Sequence, residues 1–365
     1  MKLLYFLFCM LWPASSATSN ISTTKYNSIY SFGDSLADTG NFLLSGTPPF
    51  SVIGDLPYGE TFFQRATGRC SNGRLIVDFF AEAYGLPYLP PYLAIKDGLK
   101  YENGVNYAVA GATALDAKFY QNKKLGHVLW TNSSLGVRLG WFNKFKSKIC
   151  TTKQECDKHF KKSLFLVGEI GGNDYNYPLF GGASPKEVEA LVPLVLAKII
   201  STTGMLIEEG AVELVIPGNL PIGCLPAYLT VFLTPERKAY DKNGCLKAHN
   251  SFAKYHNNQL KSALRKLRRK YPQAKIMYAD FYNAAKQYVH TPLHHGFTNR
   301  VLVACCGGGG PFNFNSTASC GNTGSKACTN PSAYANWDGI HLTEAAYGVI
   351  AKGLIHGPFT SPPMH

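Results

Sequence analysis

The sequence predicts an α/β fold in which helices cover both faces of a parallel sheet, and three observations carry that prediction. Short apolar, β-leaning runs recur along the chain, each followed by a loop and a stretch with helical spacing of its apolar residues. Such alternation is the pattern of strands joined by helical crossovers. Each run also stops at a glycine-rich or polar segment, which suits the rim of an open sheet, where sites gather at the carboxyl ends of strands.

The first run, Ser28–Phe32, breaks at Gly33-Asp34-Ser35-Leu36. Glycine permits a sharp turn, and the turn can lift Ser35 out of the sheet as a nucleophile requires. Arg74–Tyr84 places Leu75, Ile76, Phe79, Phe80 and Ala83 at helical spacing, with Ser71 or Asn72 available as cap. Val105–Ala110 is a second strand ending at Gly111, and Leu135–Lys148 a helix with Leu135, Leu139, Phe142 and Phe145 on one side. Leu164–Ile170 is a third strand running into Gly171-Gly172-Asn173-Asp174, and Pro185–Glu209 a long helix. Val212–Ile216 is a fourth strand and Thr234–Lys270 is mostly helical. Ile276–Ala279 is a fifth strand reaching Asp280, and Thr343 caps a last helix, Thr343–Gly353.

Residues 1–18 read as a secretory signal peptide, with a basic start, an apolar run Leu3–Trp12 and small residues around Ala17. Residues 19–365 then form a single domain, since no linker, repeat or charge block divides them. No later stretch is apolar enough to span a bilayer; Ala190–Ile200 comes nearest and carries Lys198. Of ten cysteines, Cys9 lies in the signal, and the nine left are an odd number in an oxidising compartment. Cys150 with Cys156 is a plausible local bridge and Cys224 with Cys245 a further candidate. Cys305, Cys306, Cys320 and Cys328 lack zinc-site spacing, so disulfides are expected there and no metal. Asn20, Asn132 and Asn315 head glycosylation sequons.

The formal charge is +13, concentrated partly in Lys261–Lys270, which reads as the wet face of a helix with Leu264 and Leu267 turned inward. No nucleic-acid partner is expected, because the cluster has no interleaved aromatics and the chain carries an export signal. Solvated surface accounts for the charge better than its alternative, loose attraction to acidic extracellular polymers. No phosphate-binding glycine motif occurs.

A serine nucleophile needs a base, a group orienting that base, and donors aimed at the oxyanion. His341 stands three residues after Asp338, across Gly339, so that one loop can bring the carboxylate to the imidazole. His290, His294 and His295 sit in a polar loop and are the weaker candidates, and Asp280 is the rival orienting acid. Gly111 can offer a bare N–H and Asn173 a side-chain amide.

Taken in order, Phe32–Asn41 (FGDSLADTGN), Gly104–Ala112 (GVNYAVAGA), Gly168–Tyr175 (GEIGGNDY) and Trp337–Thr343 (WDGIHLT) resemble the four blocks of the plant-type GDSL esterase/lipases, within the SGNH hydrolases. Gly68–Arg74 and Pro217–Cys224 resemble smaller landmarks of that family. The resemblance implies a three-layer α/β/α sandwich around a five-stranded parallel sheet. It implies Ser35 as nucleophile, His341 as base, Asp338 as its orienting carboxylate, and an oxyanion hole made of the Ser35 N–H, the Gly111 N–H and the Asn173 side chain. The implied activity is hydrolysis of carboxylic esters without metal or cofactor, by a probable monomer acting outside the cell or in the vacuole. Within the family, Val167–Tyr175 and Gly68–Arg74 look closest to the branch of acetylajmalan esterase and sinapine esterase, which implies short acyl esters of small specialised metabolites such as alkaloids. Two other readings stay open: an acyltransferase using the same residues, and a non-catalytic extracellular binding protein. One departure is Thr24-Lys25, where relatives often carry a cysteine, which leaves the pairing of Cys70 open.

Overall fold

In the computed structural model, which describes residues 25–46, 49–98, 101–298 and 300–364, five parallel strands form the centre of the molecule. They are β1 Ser28–Ser31, β2 Gly104–Asn106, β3 Ser163–Leu166, β4 Glu213–Pro217 and β5 Lys275–Ala279. A two-residue strand, β6 Thr360–Ser361, pairs antiparallel with β5, so the sheet has six strands in the order β2-β1-β3-β4-β5-β6. The expected parallel core is therefore present, with an added edge too short to leave an apolar signature. Every residue of β1 and β3 is buried, which is why these strands are continuous apolar runs rather than alternating ones.

Seven helices matter for the site: α1 Ile76–Ala83, α2 Leu135–Lys146, α3 Gly172–Phe180, α4 Val192–Glu208, α5 Lys247–Lys270, α6 Phe281–His290 and α7 Glu344–Ile355. Helices α1, α6 and α7 pack together on one side of the sheet, and α2, α4 and α5 on the other. That makes three layers. The segment Pro185–Glu208 is long and apolar enough to pass for a membrane span, but Val195, Leu196, Ile199, Leu206 and Ile207 on α4 are buried in the core.

Several boundaries differ from expectation. The second and third strands are shorter than their apolar runs, because after the Tyr107 N–H bonds Ser31 and the Val167 N–H bonds Val215 the backbone leaves the ladder and turns into the rim. The helix expected from Pro185 divides at Leu191, ahead of Pro193, whose ring excludes an upstream helical hydrogen bond. Residues 234–246 are loop with one short 3-10 turn, Arg237–Ala239, held by Tyr240 and by the Cys224–Cys245 disulfide, rather than the start of α5. Ser71 and Asn72 do not cap α1; Asn72 Oδ1 accepts from the Glu344 N–H at 2.8 Å, at the start of α7. Thr343 caps α7 as expected, accepting from the Ala346 N–H at 3.2 Å.

Four disulfides form among the described cysteines: Cys150–Cys156, Cys224–Cys245, Cys305–Cys328 and Cys306–Cys320. Cys70 is free and buried. Asn132 is exposed and Asn315 half-buried, whereas the signal segment 1–18 and Asn20 lie outside the described residues.

Candidate active site

The rim above the carboxyl ends of β1, β2 and β3 carries the candidate residues, and the turn after β1 is held by other parts of the rim. Phe32 N–H donates to Leu166 at 2.8 Å and Asp34 N–H to Glu169 at 3.0 Å, which keeps the chain beside β3 as it leaves the sheet. A methyl group at Gly33 would stand 2.7 Å from the Ala37 Cβ, so only glycine fits where the chain doubles back. Ser35 then sits in the turn, with 7% of its surface exposed.

Asp38 organises the next loop. Its carboxylate accepts from the backbone N–H groups of Gly40, Asn41, Phe42 and, across the rim, Ala110. Burial nevertheless pushes its pKa up to about 6. Asn41 donates to the carbonyl oxygens of Asn106 and Ala108, both at 2.8 Å. These bonds place Gly111 beside the serine turn. Gly111 has φ +75°, and a Cβ there would lie 2.7 Å from that of Trp130.

Asn173 opens α3. Its Nδ2 donates to Asp34 Oδ2 and to the Ala112 carbonyl oxygen, each at 3.1 Å, and its Oδ1 accepts from Asn176 at 3.2 Å. Asp34 and Glu169 are both buried and hydrogen-bonded to each other; burial raises both, and the Asp34 charge adds to it for Glu169, which is held well above the ordinary carboxyl range, while the hydrogen bond from Glu169 works against the rise of Asp34.

Asp338 and His341 come together in the loop before α7. His341 Nδ1 lies 2.7 Å from Asp338 Oδ2, and the other carboxylate oxygen accepts from the backbone N–H groups of Ile340 and His341. Tyr58 donates to Asp338 Oδ2 at 2.8 Å. Burial favours the neutral acid, but the imidazole, these hydrogen bonds and Tyr58 outweigh it, and Asp338 sits below the usual carboxylate range. For His341 burial likewise opposes charge, and Asp338 together with the neighbouring Cys70 thiol overcomes it, holding the imidazole well above its ordinary value. Ser35, Gly111, Asn173 and His341 all line one cavity of about 370 Å³. A second cavity of about 490 Å³ meets it at Trp130, Phe180, Ile340 and His341, and is walled by Phe50, Tyr58 and Phe314. The rival acid, Asp280, is elsewhere: it caps α6 through the Asn283 N–H at 3.1 Å.

The sequence has a family model that fits it: GDSL-like Lipase/Acylhydrolase matches residues 29–354. The chain belongs to that family. Among GDSL relatives, one GDSL esterase/lipase of Arabidopsis thaliana is 56% identical over 345 residues, covering 93% of each chain. Another from the same plant is 47% identical over 364 residues, 99% of this chain and 92% of the relative. Sinapine esterase of Brassica napus is 47% identical over 351 residues, 95% of this chain and 89% of its own. This GDSL protein is accordingly a carboxylic ester hydrolase.

Three GDSL-rim residues were not singled out from the sequence. Arg138 is fully buried in α2 and donates from Nη1 to the Phe32 carbonyl oxygen at 2.9 Å, and also to that of Gly33, so one guanidinium pins the serine turn. Burial lowers its pKa to about 10, against the pull of Asp34, Asp38 and Asp174. A signal existed: Arg138 falls on the inward face shared by Leu135, Leu139 and Phe142, where an arginine needs internal partners. Tyr58 and Glu169 had no such signal, since both meet their partners only after folding.

Proposed function

We propose that the chain is a serine esterase in which Ser35 attacks the ester carbonyl, His341 takes its proton, and Asp338 fixes the imidazole tautomer. Asp338 holds Nδ1–H, which leaves Nε2 for the serine hydroxyl. As the tetrahedral intermediate forms, its oxygen receives hydrogen bonds from the N–H groups of Ser35 and Gly111 and from an Asn173 Nδ2–H that lets go of Asp34 or of the Ala112 carbonyl oxygen. His341 returns the proton to the departing alcohol. Water, deprotonated by the same imidazole, then splits the acyl-enzyme and restores Ser35. The observation that carries this reading is the single cavity onto which Ser35, Gly111, Asn173 and His341 all open.

The substrate we infer is a short acyl ester of a small specialised metabolite, alkaloid esters among them. Two features support it. The cavities together are of the size that takes a small molecule, and their walls are aromatic: Phe50 stacks on Trp130 with ring centroids 5.0 Å apart, and Phe180 and Phe314 face the same space. Aromatic faces suit a cationic alcohol moiety, which they attract through their quadrupoles. The name of the Brassica relative points to an ester of that class. The four disulfides fit passage through the secretory pathway after removal of residues 1–18, with the enzyme acting as a monomer outside the cell or in the vacuole.

Labelling with a fluorophosphonate tests the nucleophile. The wild-type chain is expected to be labelled, and Ser35→Ala to be folded, unlabelled and inactive. A labelled or active Ser35→Ala protein overturns the assignment. A panel of short acyl esters with neutral and cationic alcohols tests the substrate, with the cationic acetates expected to give the higher kcat/KM.

A further inference from the structure

The α5–α6 face holds a groove of about 600 Å³, larger than either rim cavity and sharing no lining residue with them. Lys242, Lys247, Lys254 and Lys286 line it, and Asp241 is the only acid among its lining residues. That acid is already engaged. Its Oδ1 accepts from the N–H groups of Asn243 and Cys245, and its Oδ2 lies 3.2 Å from Lys286 Nζ. The other three ammonium groups have no carboxylate within ion-pair distance among the described residues: Lys247 donates to the Lys238 carbonyl oxygen, and Lys254 lies 5.6 Å from the centre of the Tyr282 ring. Such uncompensated like charges repel one another and would be relieved by an anion.

The cations also form a track. Lys247, Lys254 and Lys261 recur every seventh residue of α5, which sets them about 10.5 Å apart along one side of the helix. Of these, Lys247 and Lys254 line the groove, and Lys261 continues the row beyond it, its Nζ 5.5 Å from the buried Tyr278 ring. Ser251, Asn283 and Gln287 line the groove among the cations and offer groups able to bond the hydroxyls of sugar rings. No arginine lines the groove, so the planar fork that matches phosphate is missing, whereas single ammonium charges suit carboxylates spaced along a chain.

We propose that this face binds a linear carboxylated polysaccharide, a polyuronate chain, independently of the ester-cleaving cavity. The uronate carboxylates pair with Lys242, Lys247 and Lys254, and the ring hydroxyls bond Ser251 and Gln287 between them. Held this way, the enzyme stays on an acidic matrix while its catalytic rim works on small esters.

The test uses the mature chain and measures binding to polygalacturonate, to neutral galactan and to single-stranded DNA at physiological salt. Polygalacturonate is expected to bind tightest, more weakly as salt rises. Lys247→Glu/Lys254→Glu should weaken that binding on the order of tenfold while the rate on a short acyl ester is unchanged. Lys242→Glu, at another cation lining the groove, should weaken binding in the same direction and guards against a folding defect in the first variant. Equal binding to galactan, equal or tighter binding to DNA, or full affinity in both variants overturns the proposal.

Discussion

At the scale of the residue, the site depends on a few buried charges whose partners are mostly supplied by distant parts of the chain. Tyr58, far from Asp338 in sequence, donates to the carboxylate that orients His341. Tyr58→Phe removes one hydrogen bond to a charged group, worth about 1.5–3 kcal/mol. The expected result is a fall in kcat of about tenfold with little change in KM and an unchanged fold by circular dichroism. With His341 as the proposed base, its raised basicity sets the expected pH dependence. A general base works only when neutral, so kcat/KM should rise with pH and reach half its maximum above the ordinary imidazole value of 6.5. An acidic limb centred well below that value would show that another group controls the rate. The proposed triad of Ser35, Asp338 and His341 can be picked out in the sequence because each stands in a compact local block. Arg138, Tyr58 and Glu169 cannot, because a buried polar side chain gets its role from partners that only the fold assembles.

At the scale of the element, strands supply position and the segments after them supply chemistry. The apolar runs marked all five parallel strands, but the ends of β2 and β3 were placed too late. Past Asn106 the backbone is still buried, and its N–H groups pair with side chains: the Ala108 N–H with Asn106 and the Ala110 N–H with Asp38. Hydrophobic pattern cannot separate such a rim from a strand. The sixth strand is two residues long and has no pattern at all. Gly111 shows what the rim demands. Gly111→Ala places a side chain at positive φ and drives it against Trp130. It should cost about 1–3 kcal/mol of stability and lower kcat about 10²-fold or more by displacing an oxyanion donor. Thermal unfolding and steady-state rates on one preparation measure both; a variant losing stability but not kcat would remove Gly111 from the proposed hole.

At the scale of the molecule, covalent links reach the catalytic loop. The Cys305 N–H donates to the Asn336 carbonyl oxygen at 2.9 Å and the Cys306 N–H to that of Trp337 at 2.7 Å, just ahead of Asp338. Those two cysteines are anchored by Cys328 and Cys320. Replacing Cys306 and Cys320 by serine should cost about 2–4 kcal/mol and lower kcat at temperatures where the chain remains folded. If kcat tracks only the folded fraction, the disulfide stabilises the molecule without shaping the site. The three-layer class and the candidate triad were readable from the sequence at this scale; the groove of lysines on α5 and α6 was not, since Lys286 joins Lys247 and Lys254 only through helix packing.

The proposed base, His341, and its proposed orienting acid, Asp338, ride on the same short tether, three residues apart, with the imidazole bonded to the carboxylate and the backbone N–H of His341 bonded to it as well. The pair therefore moves as one body against Ser35, which is anchored separately through β1 and Arg138. Loosening the rim changes how often the two bodies meet, and leaves untouched which nitrogen carries the proton. Damage to the loop should thus appear as a smaller fraction of productive encounters, with the titration curve of the survivors unmoved.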